Sequence, residues 1–320
     1  MSRSALLRDW LAVRSLEKQG EHLDLEGALL SPQSPFVAAL GAPFSFLRLR
    51  TETIVTITAD ERKRTVGMVQ ARTRERRPEC VITFIAPSLR KSEAAAPIWY
   101  RLLNELTQKV GERGVQRIYA QTAHDPKTEQ VLSQAGFTTY SHEDIFRLNI
   151  PAPAPPPEAS LRQQRPRDAW KLARLYSQAT PRPVQQAEGS GLLEEGKATG
   201  NKITWDPRTR GTGYVLEKEG EVVGVARLTR GLQGYWLRFW LDPGAGAEGK
   251  ALVQAALRLL RVSHAQPVYV AVRDYDAGLR PLLYDMGFQC LLSRSLMVKH
   301  TTVRVRETIP QLATVLEKTI

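Results

Sequence analysis

The chain has 320 residues, of which 42% are hydrophobic, and its 45 lysines and arginines against 33 acidic residues give a net charge of +12. This length suits two domains of ordinary size. Because no run of 18 or more apolar residues is present, the composition argues against a membrane span, while the positive charge suits an anionic ligand such as a phosphorylated cofactor or a nucleic acid.

The few cysteines and histidines are spread along the chain. Cys80 and Cys290 lie far apart in apolar, strand-like segments, so we expect two buried, reduced thiols. The histidines show no close spacing, and we therefore predict no metal site. The N-terminal segment carries charges through the part that a signal peptide keeps apolar, so we expect a helix of a mature, cytoplasmic protein.

The first half of the chain predicts helices and strands in succession. A helix covers "LLRDWLAVRSLEKQG", and two strands joined by a polar turn follow in "TIVTITADERKRTVGMVQA". A more continuous apolar strand, "CVITFIAP", precedes a long helix whose apolar face carries Trp99, Leu103, Leu106 and Val110. A strand, a short helix, a Gly-Phe pair and a last strand complete this half.

A proline-rich segment, "PAPAPPPEAS" at 151–160, divides the chain nearly in half and predicts an extended linker. The two halves then match each other. Asp125 and Asp276 each stand eleven residues before the glycines of the two Gly-Phe pairs, Gly136 and Gly287, which are 151 residues apart (287 − 136). "TVGMVQAR" likewise matches "VVGVARLT", and "CVITFIAP" matches "WLRFWLDP". Two copies of one module explain this agreement.

The second half repeats the order of elements in the first. A helix in "RDAWKLARLYSQAT" precedes a hairpin with the turn "KEGE", the apolar strand "YWLRFWL", a long helix, the strand "PVYVAVR", a short helix and a last strand. The tail predicts a further amphipathic helix. We therefore predict an N-terminal domain at 1–150, the linker at 151–160, a C-terminal domain at 161–300 and an extension at 301–320.

The stretch "WLDPGAGAEGKAL" places a loop of small residues between an apolar strand and a helix. The first turn of a helix has free N–H groups and a partial positive charge, so this arrangement is typical of anion-binding sites. Loops of the same composition also serve as plain connectors. The residues alone leave both interpretations open.

This order of elements, with a strand-to-helix turn in the middle and Gly-Phe after the next short helix, resembles the GNAT superfamily of acyl-CoA-dependent N-acyltransferases. The resemblance implies an α/β (α+β) fold class with two tandem acyl-CoA N-acyltransferase-like domains, each a mixed, mostly antiparallel sheet flanked by helices. It also implies that acetyl-CoA, or another acyl-CoA, lies where the sheet opens between its fourth and fifth strands.

The resemblance further implies a cofactor site in the second copy. The pantetheine would pair with the end of the fourth strand, and the pyrophosphate would lie on the next turn, where Gly244, Ala247 and Gly249 align with the family pattern R/Q-x-x-G-x-G/A. The first copy has neither glycine of that pattern, so we expect its domain to be degenerate. The residues of the predicted cofactor site are Trp240, Leu241, Gly244, Gly246, Ala247, Gly249, Lys250 and Asp276.

The catalytic candidates also come from the resemblance. Many family members place a tyrosine four residues before the glycine of Gly-Phe, and Tyr284 is the nearest tyrosine here, with side-chain packing as its alternative role. Asp242, at the end of the fourth strand, is a candidate base or a turn residue. Asp276 lies where family members often carry an asparagine near the cofactor, or else it caps the following helix.

Three functions stay open at this level. An acyltransferase would transfer an acetyl or acyl group to an unidentified amine, of a small molecule or a peptide, in the C-terminal domain. A catalytically inactive relative would bind a ligand or a protein. Association with nucleic acid such as tRNA would use the positive charge, and Arg72, Arg74 and Arg76, which alternate along a strand, form either a solvated rim or a binding patch. The sequence sets neither the acceptor nor the oligomeric state.

Overall fold

The computed structural model describes residues 2–4, 10–32, 34–35, 49–60, 63–74, 78–92, 94–149, 160–188, 211–246, 248–260 and 266–301. The predicted linker and the predicted C-terminal extension lie outside these residues, apart from Ser160 and Thr301. Within the described ranges, none of the helices has the length and apolar content needed to cross a membrane.

The described residues form strands and helices in the alternation that the sequence predicts. The strands are β1 (Ser2–Ser4), β2 (Glu21–His22), β3 (Leu49–Asp60), β4 (Lys63–Arg74), β5 (Glu79–Ala86), β6 (Arg117–Ala123), β7 (Thr138–Leu148), β8 (Arg162–Gln163), β9 (Thr212–Lys218), β10 (Glu221–Arg230), β11 (Tyr235–Leu241), β12 (Val268–Arg273) and β13 (Gln289–His300). The helices are α1 (Trp10–Glu17), α2 (Leu25–Leu30), α3 (Ala95–Gly111), α4 (Pro126–Gln134), α5 (Ala169–Ala179), α6 (Arg182–Glu188), α7 (Glu248–Arg258) and α8 (Leu279–Asp285), with short 3-10 turns at Pro166–Asp168 and Asp274–Asp276.

The strands form one continuous sheet in the order β1-β3-β4-β5-β6-β13-β7-β12-β11-β10-β9-β8, with β2 paired to β5. Only β5–β6 and β11–β12 pair in parallel among these neighbours. Helices cover both faces, because Trp236 and Trp240 of β11 pack on the side of α2 and α5, whereas Tyr235 and Phe239 pack on the side of α7 and α8. The predicted fold class, a mixed and mostly antiparallel sheet flanked by helices, is confirmed.

The last strand of each half completes the sheet of the other half. β13 lies between β6 and β7, and β7 in turn pairs with β12. The apolar cores follow this exchange: Met297 of β13 packs with α3 and α4, and Phe146 of β7 packs with α7 and α8. The domain boundary predicted at residue 150 assigns β7 to the N-terminal domain. In the sheet, however, β7 pairs with β12 of the second half.

β7 and β13 pair around a local two-fold axis. Glu143 pairs directly with Arg294, and these positions are 151 residues apart (294 − 143), the offset that also separates the two Gly-Phe pairs. The register skips one residue in each strand, Tyr140 and Leu291, which share the same offset. The backbone is therefore symmetric about this axis, while the two side chains at its centre carry opposite charges.

A buried cluster of charges surrounds this axis. Glu143 is 1% exposed, and its carboxylate pairs with Arg294, with Arg273 at 3.0 Å (Oε2 to Nε) and with Arg238 at 3.7 Å (Oε2 to Nη2). Burial alone would raise the pKa of Glu143, but the three guanidinium charges outweigh it and lower the pKa to about 2. Arg273 also donates from Nη2 to Glu188 Oε1 of α6 at 2.9 Å. The cluster thus ties four adjacent strands, β13, β7, β12 and β11, to a helix.

Several local predictions are confirmed and one is wrong. The "KEGE" turn joins β9 to β10 as a hairpin. Gly136 and Gly287 have φ angles of 87° and 83°, a left-handed conformation that ends the preceding helix and that glycine adopts without strain. Cys80 is buried, but Cys290 is exposed because it lies in the solvent-facing first residues of β13; both thiols are free.

Removing the charge of Glu143 should destabilise the fold strongly. We expect Glu143→Gln to lower the free energy of unfolding by roughly 3–5 kcal/mol at pH 7, because three buried arginines lose their counter-charge. Since the folded pKa of about 2 is below the ordinary value of the unfolded chain, the contribution is complete above about pH 4.5 and is lost as the pH falls towards 2. Urea unfolding at pH 7 and pH 3 measures both effects.

The matched control is Glu219→Gln, which alters an exposed glutamate in the β9–β10 turn. It should change the free energy of unfolding by less than about 0.5 kcal/mol. A Glu143→Gln chain as stable as this control at pH 7 would show that the buried charges contribute nothing to the joined halves.

Candidate functional site

The sheet opens between β11 and β12. The two strands pair in parallel only from Tyr235 with Val268 to Arg238 with Ala271. Both continue beyond this point, to Leu241 and to Arg273, without further pairing between them. A parallel pair that separates leaves backbone N–H and C=O groups along the inner edges of the opening. Among the described strand residues, none pairs with the last part of β11 on this edge.

The corresponding opening in the first half is closed by the chain itself. β5 pairs with β6 only from Glu79 to Val81. Beyond that point β2 takes the free edge, with Glu21 opposite Ile85 and His22 opposite Phe84. Leu23 N–H adds a bond to Thr83 O at 3.0 Å. The edge of β5 that matches the open edge of β11 therefore already has a strand on it.

The turn after β5 is also filled from within. Glu21 Oε1 accepts hydrogen bonds from Ser88 Oγ at 2.5 Å and from Leu89 N–H at 3.1 Å. Trp99, which is fully buried in α3, donates from Nε1 to Pro87 O at 2.7 Å. The Glu21 carboxylate thus occupies donors that a bound anion would need. Trp99, which aligns with the last position of the family pattern R/Q-x-x-G-x-G/A, is part of the core.

The turn after β11 uses most of its N–H groups internally. Asp242 accepts from Gly244 N–H at 2.9 Å through Oδ1 and from Ala245 N–H at 2.9 Å through its carbonyl. Glu248 and Gly249 N–H groups bond to Ala245 O and Gly246 O at 3.2 and 3.3 Å. Asp242 therefore lies in the turn as one of its acceptors, which is the alternative role that the sequence offered.

The start of α7 carries opposite charges side by side. Glu248, in the first turn, pairs with Lys218 of β9 at 2.5 Å (Oε1 to Nζ), while Lys250 is exposed. Gly249 is buried, and a Cβ atom there would lie 3.2 Å from Leu282 and 3.3 Å from Leu241. Close packing of α7 on α8 thus explains this glycine without a ligand. Gly246 is exposed, and Ala247 lies outside the described residues.

Two further predicted residues pack in the core. Trp240 is 5% exposed and lies in a cluster with Leu172, Tyr176 and Val225 from α5 and β10. Leu241 is partly buried against the core of α7 and α8. The side chain of Trp240 accordingly forms core on the α5 face, and only the backbone of this strand end borders the opening.

The tyrosine candidate lies at the surface. Leu132 and Leu283, which hold the family's tyrosine position, are both fully buried. Tyr284 is 55% exposed, and its ring packs edge-on against Phe146 of β7, with 5.3 Å between ring centroids. This geometry favours the packing role that the sequence analysis gave as the alternative.

Asp276 has the most unusual environment of the predicted residues. It ends the 3-10 turn after β12, and α8 is capped by Gly278, so the predicted capping role is wrong for Asp276. Partial burial raises the pKa of Asp276 to about 7 against the opposing charge of Arg273; the like charge of Asp274 raises the pKa further, and the charge of Arg238 opposes it. A carboxyl group with a pKa near neutrality, close to the end of β12, suits proton transfer.

Asp125, at the equivalent position of the first half, behaves differently. It is the N-cap of α4, and its carboxylate accepts from Thr128 Oγ at 2.6 Å and from Thr128 N–H at 3.3 Å. These bonds lower the pKa of Asp125. Asp125 thus caps its helix, and the pKa values of the two aspartates of the repeat shift in opposite directions.

A polar cleft in the first half includes one of the arginines singled out from the sequence. Arg72 lies 3.6 Å from Asp24 (Nη1 to Oδ2) and shares the cleft with His22, Gln70 and Thr83. The side chains of Arg74 and Arg76 lie outside the described residues. Arg72 therefore has a carboxylate partner in the chain.

The sequence analysis missed the arginines behind the opening. Arg238 and Arg273 are buried on β11 and β12, and both face Glu143. The available signal was a charged residue inside each of two otherwise apolar runs, "YWLRFWL" and "PVYVAVR". An arginine in such a run must find a buried partner, and the partner here lies in the other half of the chain.

Solved structures share the fold of this chain. A GCN5-related N-acetyltransferase from Sphaerobacter thermophilus superposes with a TM-score of 0.55 at 14% identity, covering 94% of this chain and 95% of that one. A tandem GNAT protein from the clavulanic acid biosynthesis pathway, in a structure without acetyl-CoA, gives a TM-score of 0.51 at 12% identity over 94% of this chain and 98% of that one. The chain has the tandem GNAT fold.

The GNAT fold thus extends over nearly the whole chain. No protein-family model matches the sequence, and no curated protein matches it either. At identities this low the likeness shows the fold alone. Within the GNAT fold, the opening between β11 and β12 is the opening between the fourth and fifth strands of the second module, and the β5–β6 opening is its counterpart in the first.

The environment of Asp276 should appear in the pH dependence of stability. Because its folded pKa of about 7 is above its ordinary value, the unfolded chain releases this proton first, and stability falls as the pH rises from about 4 to 7. Asp276→Asn should remove this loss, so that the variant gains on the order of 2 kcal/mol relative to wild type between pH 5 and pH 8. Urea unfolding at both pH values measures the difference.

Asp285→Asn, which changes an exposed aspartate at the end of α8, is the control and should show no such gain. If the free energy of unfolding changed by the same amount in Asp276→Asn and in wild type between pH 5 and pH 8, this result would contradict the raised pKa of Asp276.

Proposed function

We propose that the protein is an acyl-CoA-dependent N-acyltransferase whose site lies in the second GNAT module. The observation that carries the proposal is the contrast between the two openings. In the first module β2 covers the edge of β5 and Glu21 binds the turn, whereas in the second no described strand residue pairs with the end of β11 on the edge that faces β12. A cofactor that pairs as a strand needs a free edge, so the second module is the one that can receive it.

Acyl-CoA would bind along this edge. Its pantetheine amides would pair with the backbone near Trp240 and Leu241, as a peptide adds to a sheet edge. Its phosphates would lie beside the turn at Gly244 to Gly249, where Lys250 supplies positive charge and the N-terminus of α7 supplies a partial one. Glu248 is paired with Lys218, which offsets much of its repulsion of an anion.

The chemistry assigned to this site is aminolysis of a thioester. The amine nitrogen attacks the acyl carbonyl carbon, the new C–N bond forms as the C–S bond breaks, and the sulfur leaves as a thiolate that takes a proton from solvent. Asp276 accepts the proton that the nitrogen loses, because a carboxylate with a pKa of about 7 is a stronger base than an ordinary aspartate. The acceptor is an amine of a small molecule or a peptide.

A second candidate is a binding module without catalysis. It is favoured by Leu283 at the family's tyrosine position and by the turn whose N–H groups bond within the chain. Under this alternative the opening binds acyl-CoA or a related ligand, and Asp276 has no part in a reaction. Binding and transfer therefore need separate tests.

The binding test uses acetyl-CoA with the full chain. Acetyl-CoA at about 100 times its dissociation constant should add roughly 2.7 kcal/mol to the free energy of unfolding. Lys250→Glu should weaken binding about tenfold, because it reverses a charge beside the phosphates, and Glu248→Gln should strengthen it severalfold. Isothermal titration calorimetry gives each affinity.

Lys127→Glu is the matched control, since Lys127 is an exposed lysine in the first turn of α4 of the first module. It should leave the affinity unchanged. No stabilisation by millimolar acetyl-CoA would refute both the acyltransferase and the acyl-CoA-binding alternative, and equal losses in Lys250→Glu and Lys127→Glu would argue for diffuse charge attraction.

The transfer test follows release of the CoA thiol from acetyl-CoA in the presence of amino acids, polyamines and a lysine-containing peptide. With an accepted amine, kcat/KM should rise with pH in two steps, one near pH 7 as Asp276 ionises and one near the pKa of the amine, which loses its ammonium proton to solvent before it attacks. Asp276→Asn should bind acetyl-CoA normally and lose roughly 100-fold or more in kcat. Binding without thiol release from any amine would favour the binding module.

A further inference from the structure

Three side chains that can ligate a metal meet where the two halves join. His124 follows β6, Glu129 lies on α4 and His142 lies on β7, and their ligand atoms are all within 4.8 Å of one another. His124 Nδ1 lies 2.9 Å from Glu129 Oε1, and the two imidazole rings pack edge-on with 5.3 Å between centroids. These residues are spread over nineteen positions of the chain (124 to 142), and the sheet brings them together.

A second layer of side chains holds these groups in place. Asp274 Oδ2 faces His142 Nδ1 at 3.9 Å, and Asp274 is itself held by Ser141 Oγ at 2.9 Å and by Tyr275 N–H at 3.1 Å. A carboxylate on one ring nitrogen is the usual partner of a metal-binding histidine, and it leaves Nε2 as the ligand. On the other side, Ser295 Oγ donates to Glu129 Oε1 at 2.6 Å.

We propose that His124, Glu129 and His142 form a binding site for a divalent ion of the zinc class. Two imidazoles and one carboxylate are a ligand set that Zn²⁺ uses, with a water in the fourth position. Bond lengths of about 2.0–2.1 Å place tetrahedral ligand atoms roughly 3.3 Å apart. The distance from His124 Nδ1 to Glu129 Oε1, 2.9 Å, is already shorter than this spacing. The two imidazole rings need only rotate until their ligand nitrogens face a shared ion.

The exposure of the site permits this adjustment. The side chains of His124 and His142 are 57% and 47% exposed, so an ion can enter from solvent and the rings can rotate without disturbing the core. The surrounding charge also favours a cation, because Glu129 and Asp274 face the two rings. The arginines of the buried cluster pair with Glu143, the neighbour of His142 that points to the opposite face of β7.

The ion would connect the two modules. Its three ligands belong to the first half, whereas Asp274 and Ser295, which orient them, belong to the second half and to the exchanged strand β13. Binding in the folded state alone should therefore stabilise the joined structure. This role is independent of acyl transfer.

The experiment uses the full chain without an affinity tag, freed of metal with a chelator. Zn²⁺ titrated against a chromophoric competitor should bind with a stoichiometry of one and should raise the thermal midpoint of unfolding. His124→Ala and His142→Ala should each weaken binding more than about 100-fold, and Asp274→Asn by roughly 10- to 100-fold, as loss of an orienting carboxylate does.

His300→Ala is the matched control, because His300 is an exposed histidine at the far end of β13, and it should bind Zn²⁺ as wild type does. Co²⁺ bound to wild-type protein should show the intense visible absorption of a four-coordinate site, which tests the ligand set even where a variant misfolds. Absence of Zn²⁺ binding by wild type, or wild-type affinity in His142→Ala, would overturn the proposal.

Discussion

The buried contact between Glu143 and Arg294 is the constraint on which the joined structure depends. These residues hold equivalent positions in the two copies and face each other across the axis that relates β7 to β13. Two identical charged residues there would place like charges in a buried site. Opposite charges resolve this conflict, and Arg238 and Arg273 extend the cluster into the second half. The opposite charges thus fit the pairing of the two exchanged strands at this position.

Once the strands are exchanged, the two modules have different tasks. The first contributes a sheet edge that the chain closes itself, with β2 on β5 and the Glu21 carboxylate on the following turn. This closure satisfies backbone groups that an empty opening would leave to solvent. In the second, no described strand residue pairs with the edge of β11 that faces β12 beyond Arg238. This difference at one sheet edge is the basis for proposing the ligand site in the second module.

Local features of the fold could be read from the sequence, and long-range pairing could not. The repeat offset, the hairpins and the two Gly-Phe turns depend on residues close in the chain, and the structure has them where the patterns predict them. The patterns of "DIFRLNI" and "RSLMVKH" predict strands but do not say which strand each one joins. The exchange, the meeting of His124 with His142, and the partners of Arg238 all follow from that missing pairing. At Gly249, close packing on Leu241 and Leu282 requires a small residue. A phosphate contact would require the same small residue, so the sequence could not distinguish the two.

Asp276 shows how one position of a repeat can gain a new property without a change of residue. In the first copy Pro126 follows Asp125 and starts α4 at once, so the aspartate caps the helix and stays ionised. In the second copy a 3-10 turn continues to Asp276, and Gly278 takes the cap. Without helix N–H groups to bind, the partly buried carboxyl group retains its proton to about pH 7. The aspartate is thus a helix cap where Pro126 follows it, and a candidate acid–base group where Ala277 follows it.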